Sequence, residues 1–421
     1  IAGEQNLVVY EDNSLQFILS DEGFQKDPTD ISTKGQIEIS NDGGATYKTL
    51  NTTNGSNSID ILENGQKIGT LKNLGSGKLQ FIPEPDYSKY SDDNLPNFKY
   101  KVYDTDGDYA EGKVNIKVKP VADAPTIFVK NIETTEDYNN TQEGTNKVAL
   151  ELKVPSLSKD QTDKNNATGD SPERNGEITL TFTNGSAVTG AKIFKSDGTT
   201  QVGSDITTAI QPLKVIIVND TKTDVDYTYH HKGITIADIS NPPAGTVYLT
   251  KSEYESLQIQ HAEDNDTDIN ITIKVTSYEV DDNNTPLNKA TYGNQVEKQT
   301  TANMIVKIQA VTDDISLKWN DTKSSEIDKV GKLEGEVLIF NPITENNSNP
   351  KIVDGVSEQK IENELNFGSL LTPTSGAGTD TKLDLDGSEK RSYSISLVEK
   401  NGADLPDYIY ITIGNQKDIK V

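Results

Sequence analysis

Phe98-Lys99-Tyr100-Lys101-Val102-Tyr103-Asp104-Thr105-Asp106-Gly107-Asp108 reads as an alternating strand that runs straight into a carboxylate-rich turn. Side chains alternate along a strand, so Phe98, Tyr100 and Val102 share one face of a sheet, and the acids gather where the strand ends. Such a turn can hold a hard cation. Related arrangements recur farther along, each near a strand that leads toward a module boundary.

Composition narrows the possibilities. A chain of 421 residues has room for about two to four domains. Its net charge of −26, from 40 basic and 66 acidic residues, argues against nucleic acid or anionic membrane as a partner and leaves divalent cations as the natural counter-charge. Hydrophobic residues make up only 33%, yet 17 Tyr and many Val, Ile and Thr supply the side chains that strands favour, so the chain should fold narrowly. It has no cysteine, which removes disulfides and thiolate-held zinc as fastenings. Residue 1 is Ile, no apolar run is long enough to span a bilayer and nothing resembles a signal peptide, so the expectation is an internal fragment of a longer protein.

Residues 113–119 alternate apolar and basic side chains and then break at Pro120-Val121-Ala122-Asp123-Ala124-Pro125, whose prolines stiffen a connector. A second strand of this kind, 304–311, ends at Thr312-Asp313-Asp314. These breaks predict three modules, 1–122, 123–312 and 313–421. Short strands are expected at 36–39, 79–82, 178–182, 214–218, 269–275, 393–397 and 408–413, separated by Gly, Asn, Asp and Pro clusters without long helical patterns. This spacing predicts an all-β protein of tandem β-sandwiches. One exposed helical turn is expected around 250–257 and a long loop over 159–175. An internal repeat links the second and third modules: Asp170-Ser171-Pro172-Glu173 and Asp384-Leu385-Asp386-Gly387-Ser388-Glu389 each precede a strand, an Asn-Gly and a further strand, which makes 313–421 a partial or irregular copy.

The run Leu79-Gln80-Phe81-Ile82-Pro83-Glu84-Pro85-Asp86-Tyr87, followed by the 98–108 strand and the 120–125 linker, resembles a cadherin-like or Ig-like repeat of large secreted bacterial adhesins. The second module, through residues 249–257 and Asp264-Asn265-Asp266-Thr267-Asp268, is similar to repeats of RTX-type adhesins exported by type I secretion. The resemblance implies calcium at or near the module junctions of a non-enzymatic surface adhesin that supports cell adhesion and biofilm formation. At the first junction it points to Glu11, Asp12, Asp104, Asp106, Asp108 and Asp123; at the second, to Glu136, Asp137, Asp264, Asp266, Asp268, Asp313 and Asp314; in the third module, to Asp384, Asp386 and Glu389. The implied partners are neighbouring repeats of the same chain and host or biofilm glycans or peptides, with a monomeric chain on the bacterial cell surface. An alternative is a ligand-binding region for a glycan or peptide, suggested by the 159–175 loop and the size of the middle module.

Calcium takes six to eight oxygen ligands, and alternate residues in a tight turn aim several carboxylates at one point. The 104–115 segment is not an EF-hand, since Tyr109 stands where Gly is required and Asn115 where Glu is. The competing reading is that these acids are solvated turn formers. His230 and His231, adjacent in a strand-like context, are expected to face opposite sides of a sheet, and His261 lacks a second nitrogen ligand at zinc spacing. No nucleophile elbow, zincin helix or phosphate-cradling loop occurs, and Trp319 is expected in the core of the third module, the alternatives being a sugar-stacking platform or an exposed anchor for a partner.

Overall fold

The computed structural model describes residues 3–19, 37–50, 57–75, 78–103, 109–135, 137–139, 142–145, 147–156, 172–183, 190–206, 212–231, 233–261 and 265–310, with the backbone of short strands beyond 314. The chain forms two compact units. The larger comprises Ile1–Ile132, Lys147–Gln260 and Asp268–Lys307, the smaller Glu133–Asn146, His261–Thr267 and Ile308–Val421.

Nine strands open the larger unit: β1 (Glu4–Tyr10), β2 (Leu15–Ile18), β3 (Ile37–Ser40), β4 (Lys48–Leu50), β5 (Ser58–Glu63), β6 (Gln66–Gly75), β7 (Lys78–Pro83), β8 (Asn97–Tyr103) and β9 (Tyr109–Lys119). They form one sheet in the order β1-β9-β8-β3-β4 and another in the order β2-β7-β6-β5. In β7, β8 and β9 buried and accessible residues alternate strictly, so Leu79, Phe81, Phe98, Tyr100, Val114 and Ile116 meet in one core between the sheets. The first strand runs parallel to the last, pairing Leu7 with Ile116 and Val9 with Val118. Non-consecutive neighbours in both sheets, with the first strand laid along the last, make this an Ig-like or cadherin-like sandwich.

The same framework is built again from β10 (Ile132–Thr135), β13 (Lys147–Ala149), β14 (Glu173–Thr183), β18 (Gln258–Gln260), β19 (Ile269–Glu279) and β20 (Glu297–Gln309). One sheet runs β10-β20-β19-β14-β16-β17 and the other β13-β18-β15, with β15 (Lys192–Phe194), β16 (Leu213–Val218) and β17 (Thr246–Thr250) inserted between the third and fourth of the shared strands. Thus β10-β20-β19-β14 and β13-β18 repeat the order of β1-β9-β8-β3 and β2-β7. The protein is all-β, with tandem Ig-like or cadherin-like sandwiches.

Two expectations are corrected here. The long loop does not extend to 175: β14 begins at Glu173 and continues through a bulge between Asn175 and Ile178. Gly176 permits that bulge, because a Cβ there would come within 2.6 Å of the Tyr278 ring. The helical turn exists as α2 (Lys251–Glu255), after α1 (Ile236–Ser240), but it is not wholly exposed, since Tyr254 is buried beneath it. Thr250 and Glu253 form its capping box. A short α3 (Lys289–Tyr292) precedes β20, and among the described residues no helix is long and apolar enough to cross a membrane.

In the smaller unit β11 (Asp137–Asn139) pairs with β12 (Gln142–Thr145), and Ile315–Trp319 with Leu371–Ser375. Three further hairpins join Gly331–Glu334 to Val337–Phe340, Lys351–Val353 to Val356–Glu358, and Tyr410–Ile413 to Gln416–Lys420. The side chain of Trp319 and the 393–397 strand lie outside the described residues.

Candidate cation centre at the junction of the sandwiches

Where β1 ends, the parallel pairing with β9 is carried one residue further. The Glu11 N–H donates to Lys119 O at 2.9 Å, which turns the Glu11 side chain inward until it is 2% exposed. Its Oε2 then accepts the N–H of Val121 at 3.0 Å, pinning the start of the linker to the first sandwich. The other end of the linker is pinned to the second sandwich. Ala122 N–H donates to Gln295 O at 2.8 Å, Asp123 N–H donates to Glu173 Oε1, and Ser277 Oγ donates to Asp123 O. The linker is thus tied at both ends through its own backbone, to the Glu11 side chain on the first sandwich and to Gln295 O, Glu173 and Ser277 on the second, in addition to the restriction the prolines impose.

A fourth carboxylate comes from the Pro83-Glu84-Pro85-Asp86-Tyr87 turn. Glu84 N–H donates to Ile68 O at 2.9 Å, and Tyr87 N–H donates to Glu84 O at 3.2 Å. Asp86 takes a left-handed backbone with φ 61°, which Asp tolerates better than most residues. The following loop is tied down by Tyr87 Oη and Lys89 Nζ, which reach Glu63 at 2.8 and 2.6 Å. Beyond it Tyr90 Oη donates to Asp282 Oδ2 of the second sandwich at 2.7 Å.

Glu173 is the centre of this arrangement. It is 1% exposed, lies directly across the sheet from Glu279, itself 0% exposed, and its Oε2 has no hydrogen-bond partner among the described residues. Burial pushes its carboxyl up to about 9, and the negative charges of Asp123, Glu11 and Asp86 add to the rise while the Asp123 N–H opposes it. Acids from both sandwiches thus act on one buried carboxyl. Among the described residues, however, no group of three or more His, Cys, Asp or Glu side chains is spaced to hold a metal ion.

The expected residues fall into three classes. Glu11 and Asp123 are brought together at the junction. Asp12 is next to them in sequence but is an exposed turn residue with φ 58°. Asp104, Asp106 and Asp108 lie outside the described residues; their flanking neighbours Tyr103 and Tyr109 pair at the far end of β9 from Lys119, ten residue steps or about 34 Å from the linker. Glu136, Asp264, Asp313, Asp314, Asp384, Asp386 and Glu389 also lie outside the described residues, and Asp137 is described only through its backbone in β11. Asp266 and Asp268 flank Thr267, whose N–H donates to Asn265 Oδ1 at 3.0 Å and whose carbonyl is 2.9 Å from His261 Nε2.

Asp86, Glu173 and Glu279 are the junction acids that sequence reasoning missed. Asp86 had a signal, the Pro-x-Pro-Asp turn. The histidines also differ from expectation: 226–230 is a turn rather than a strand, with Tyr229 and His230 N–H groups both donating to Asp226 O. His230 is buried and held down to about 3 by that burial and by the neighbouring His231, which meets the Tyr278 ring edge-on at 5.4 Å.

No protein-family model matches the chain, and no curated protein does. Among solved structures it is similar to a protocadherin gammaB7 fragment, EC3–6, at 8% identity over 75% of this chain and 48% of that one, with a TM-score of 0.25. Murine CEACAM1b matches at 10% identity over 72% of this chain and 96% of that one, with a TM-score of 0.18. The four N-terminal Ig domains of a Dscam1 isoform match at 6% identity over 73% and 44%, with a TM-score of 0.16. The chain spans about half the length of the protocadherin fragment it matches.

Proposed function

We propose that this chain is a non-enzymatic segment of a large extracellular adhesin on a bacterial surface, built as three modules (1–122, 123–312 and 313–421) and stiffened by calcium at their junctions. The observation that carries the reading is the junction itself. Glu11, Asp86 and Asp123 raise the cost of ionising a buried Glu173, whose second oxygen lacks a partner. A carboxyl so placed must either keep a proton or gain a cation. Hard oxygen donors in a chain with no cysteine fit calcium and not a soft metal.

Glu11, Asp86, Asp123, Glu173 and Glu279 would hold the ion at the first junction, and the reading requires them to draw closer than they stand. Bound calcium would supply positive charge shared by both sandwiches. Asp266 and Asp268, with the outlying acids near 136, 264 and 313, are the corresponding candidates at the second junction. Extracellular calcium modules bind at roughly 10⁻⁴ to 10⁻³ M, so such sites fill outside a cell and empty within it. That would suit an exported chain of the RTX type, which folds once it meets calcium, and a role in biofilm attachment.

Thermal unfolding of the chain in calcium, in magnesium and in chelator tests the reading. Calcium should raise the melting temperature by several degrees, corresponding to about 2.7 kcal/mol at a hundred times Kd. Identical melting in all three conditions would dismiss it.

A further inference from the structure

The first sandwich carries a second device, in the pairing of its terminal strands. β1 and β9 run parallel in unbroken register, from Glu4 opposite Lys113 to Tyr10 opposite Lys119, and the Glu11 N–H extends the row to Lys119 O. β1 is the edge of its sheet, so among the described residues β9 is its one strand neighbour. Parallel pairing puts the loaded ends of the two strands at opposite ends of the row. Tension entering ahead of Glu4 draws β1 backward, and tension leaving through Pro120 draws β9 forward. The pairs are then sheared along the strand axis and share the load over six residue steps, about 20 Å. A pair pulled from one end would instead open residue by residue.

The slide is resisted on both faces of the sheet. Leu7 and Val9 are buried, so a one-residue slip of β1 turns both to solvent. On the outer face Asn115 Nδ2 donates to Glu4 Oε1 at 2.5 Å and to Asn6 Oδ1 at 2.8 Å, which ties β9 to the loaded end of β1. The loaded end of β9 is also held from its other side, where Ile116 N–H donates to Pro96 O at 2.8 Å and Lys89 N–H donates to Val118 O at 2.9 Å. We propose that the β1–β9 row is a shear clamp that sets the tension the first sandwich withstands. Its use rests on the surface-segment reading, in which tension runs end to end along the chain; its mechanics rest on the register alone. Forced unfolding follows the unfolding barrier rather than equilibrium stability, so the direction of loading decides the outcome.

Single-molecule pulling of the full chain, in chelator and in calcium, tests the clamp. The chain has no cysteine, so introduced thiols fix the direction of load. Handles at Gly3→Cys and Ala124→Cys draw β1 and β9 in opposite directions. Handles at Gly3→Cys and Tyr109→Cys both lie toward the Glu4 end of the row and peel β1 away from it. The rupture force in chelator should be about twofold or more higher in the first geometry, where the pairs yield together. Proline locates the clamp within β1. Because the Glu11 N–H faces β9 and strand residues alternate, those of Gln5, Leu7 and Val9 face it too, while the Val8 N–H faces the open edge. Gln5→Pro removes one of these four donors and should lower the shear force by about a quarter, and Val8→Pro should leave it unchanged. Circular dichroism checks that each variant folds, and the comparison of directions needs neither proline. Equal force in the two directions, equal losses in the two proline variants, or a shear advantage present only in calcium would each overturn the clamp. Failure of calcium to stabilise the junction leaves the test intact, because it compares directions within one sandwich without the ion.

Discussion

The core of the first sandwich and the junction end of the second differ in what they bury. Between its sheets the first packs Ile39, Leu71, Leu79, Phe81, Phe98, Tyr100 and Ile116. The start of β14 and the end of β19 bury Glu173, Arg174, Asn175, Ser277 and Glu279. Apolar burial is non-directional and favours folding in any ionic condition. Buried charge has a large desolvation cost and is tolerated only with a counter-charge or a proton. One region therefore supports the fold in any ionic condition, and the other, under the proposed calcium reading, couples the junction to pH and cations.

Emptying the core is the most damaging way to break the comparison. Phe81→Ala should cost about 3–5 kcal/mol, by the same amount in calcium and in chelator, as read from urea midpoints. Next comes the junction, where the cation-free protein should respond to pH. The folded value of Glu173, about 9, lies above the ordinary 4.5, so the native state keeps a proton that the unfolded chain releases. Stability in chelator should fall as pH rises from about 4.5 to about 9 and level off above that. Glu173→Gln should flatten this slope, raise the chelator melting temperature at pH 8 and remove most of the calcium effect; an unchanged slope would show that Glu173 is not the titrating group. Smaller again is Gly112→Ala, whose new methyl would overlap the buried Tyr100 ring directly across the strand pair. About 1–3 kcal/mol should be lost, without altering the calcium response.

The contrast also explains what was legible in the sequence. Strands β7, β8 and β9 announce themselves because one face is apolar and the other is not, so period 2 is written into neighbouring residues. Glu11 and Asp123 were readable because each adjoins a strand end or a proline-marked linker. Glu173 was not, for its meaning comes from Glu279 across the sheet and from Asp86 and Glu11 in another sandwich, none of them near it in sequence. The bulge at Asn175 and Gly176 broke the alternation and disguised the start of β14 as loop. Asp104, Asp106 and Asp108, the most conspicuous local cluster, lie outside the described residues; Tyr103 and Tyr109, which flank them, stand at the opposite end of β9 from the linker.

The finest distinction is between the proposed cation and the direct bond that joins the two sandwiches. Tyr90 Oη donates to Asp282 at 2.7 Å, and burial together with that carboxylate lifts the phenol to about 12, so the bond persists across the neutral and mildly alkaline range. Tyr90→Phe removes one hydrogen bond to a charged acceptor and keeps the ring, a loss of about 1–2 kcal/mol at most. If calcium is the principal fastening, small-angle scattering of Tyr90→Phe should match the parent protein in calcium and show wider angular sampling only in chelator. Equal loosening in both conditions would assign the stiffness of the junction to protein hydrogen bonds, with Glu11–Val121 and Asp123–Glu173 carrying what Tyr90 does not, and would reduce calcium to a source of stability alone.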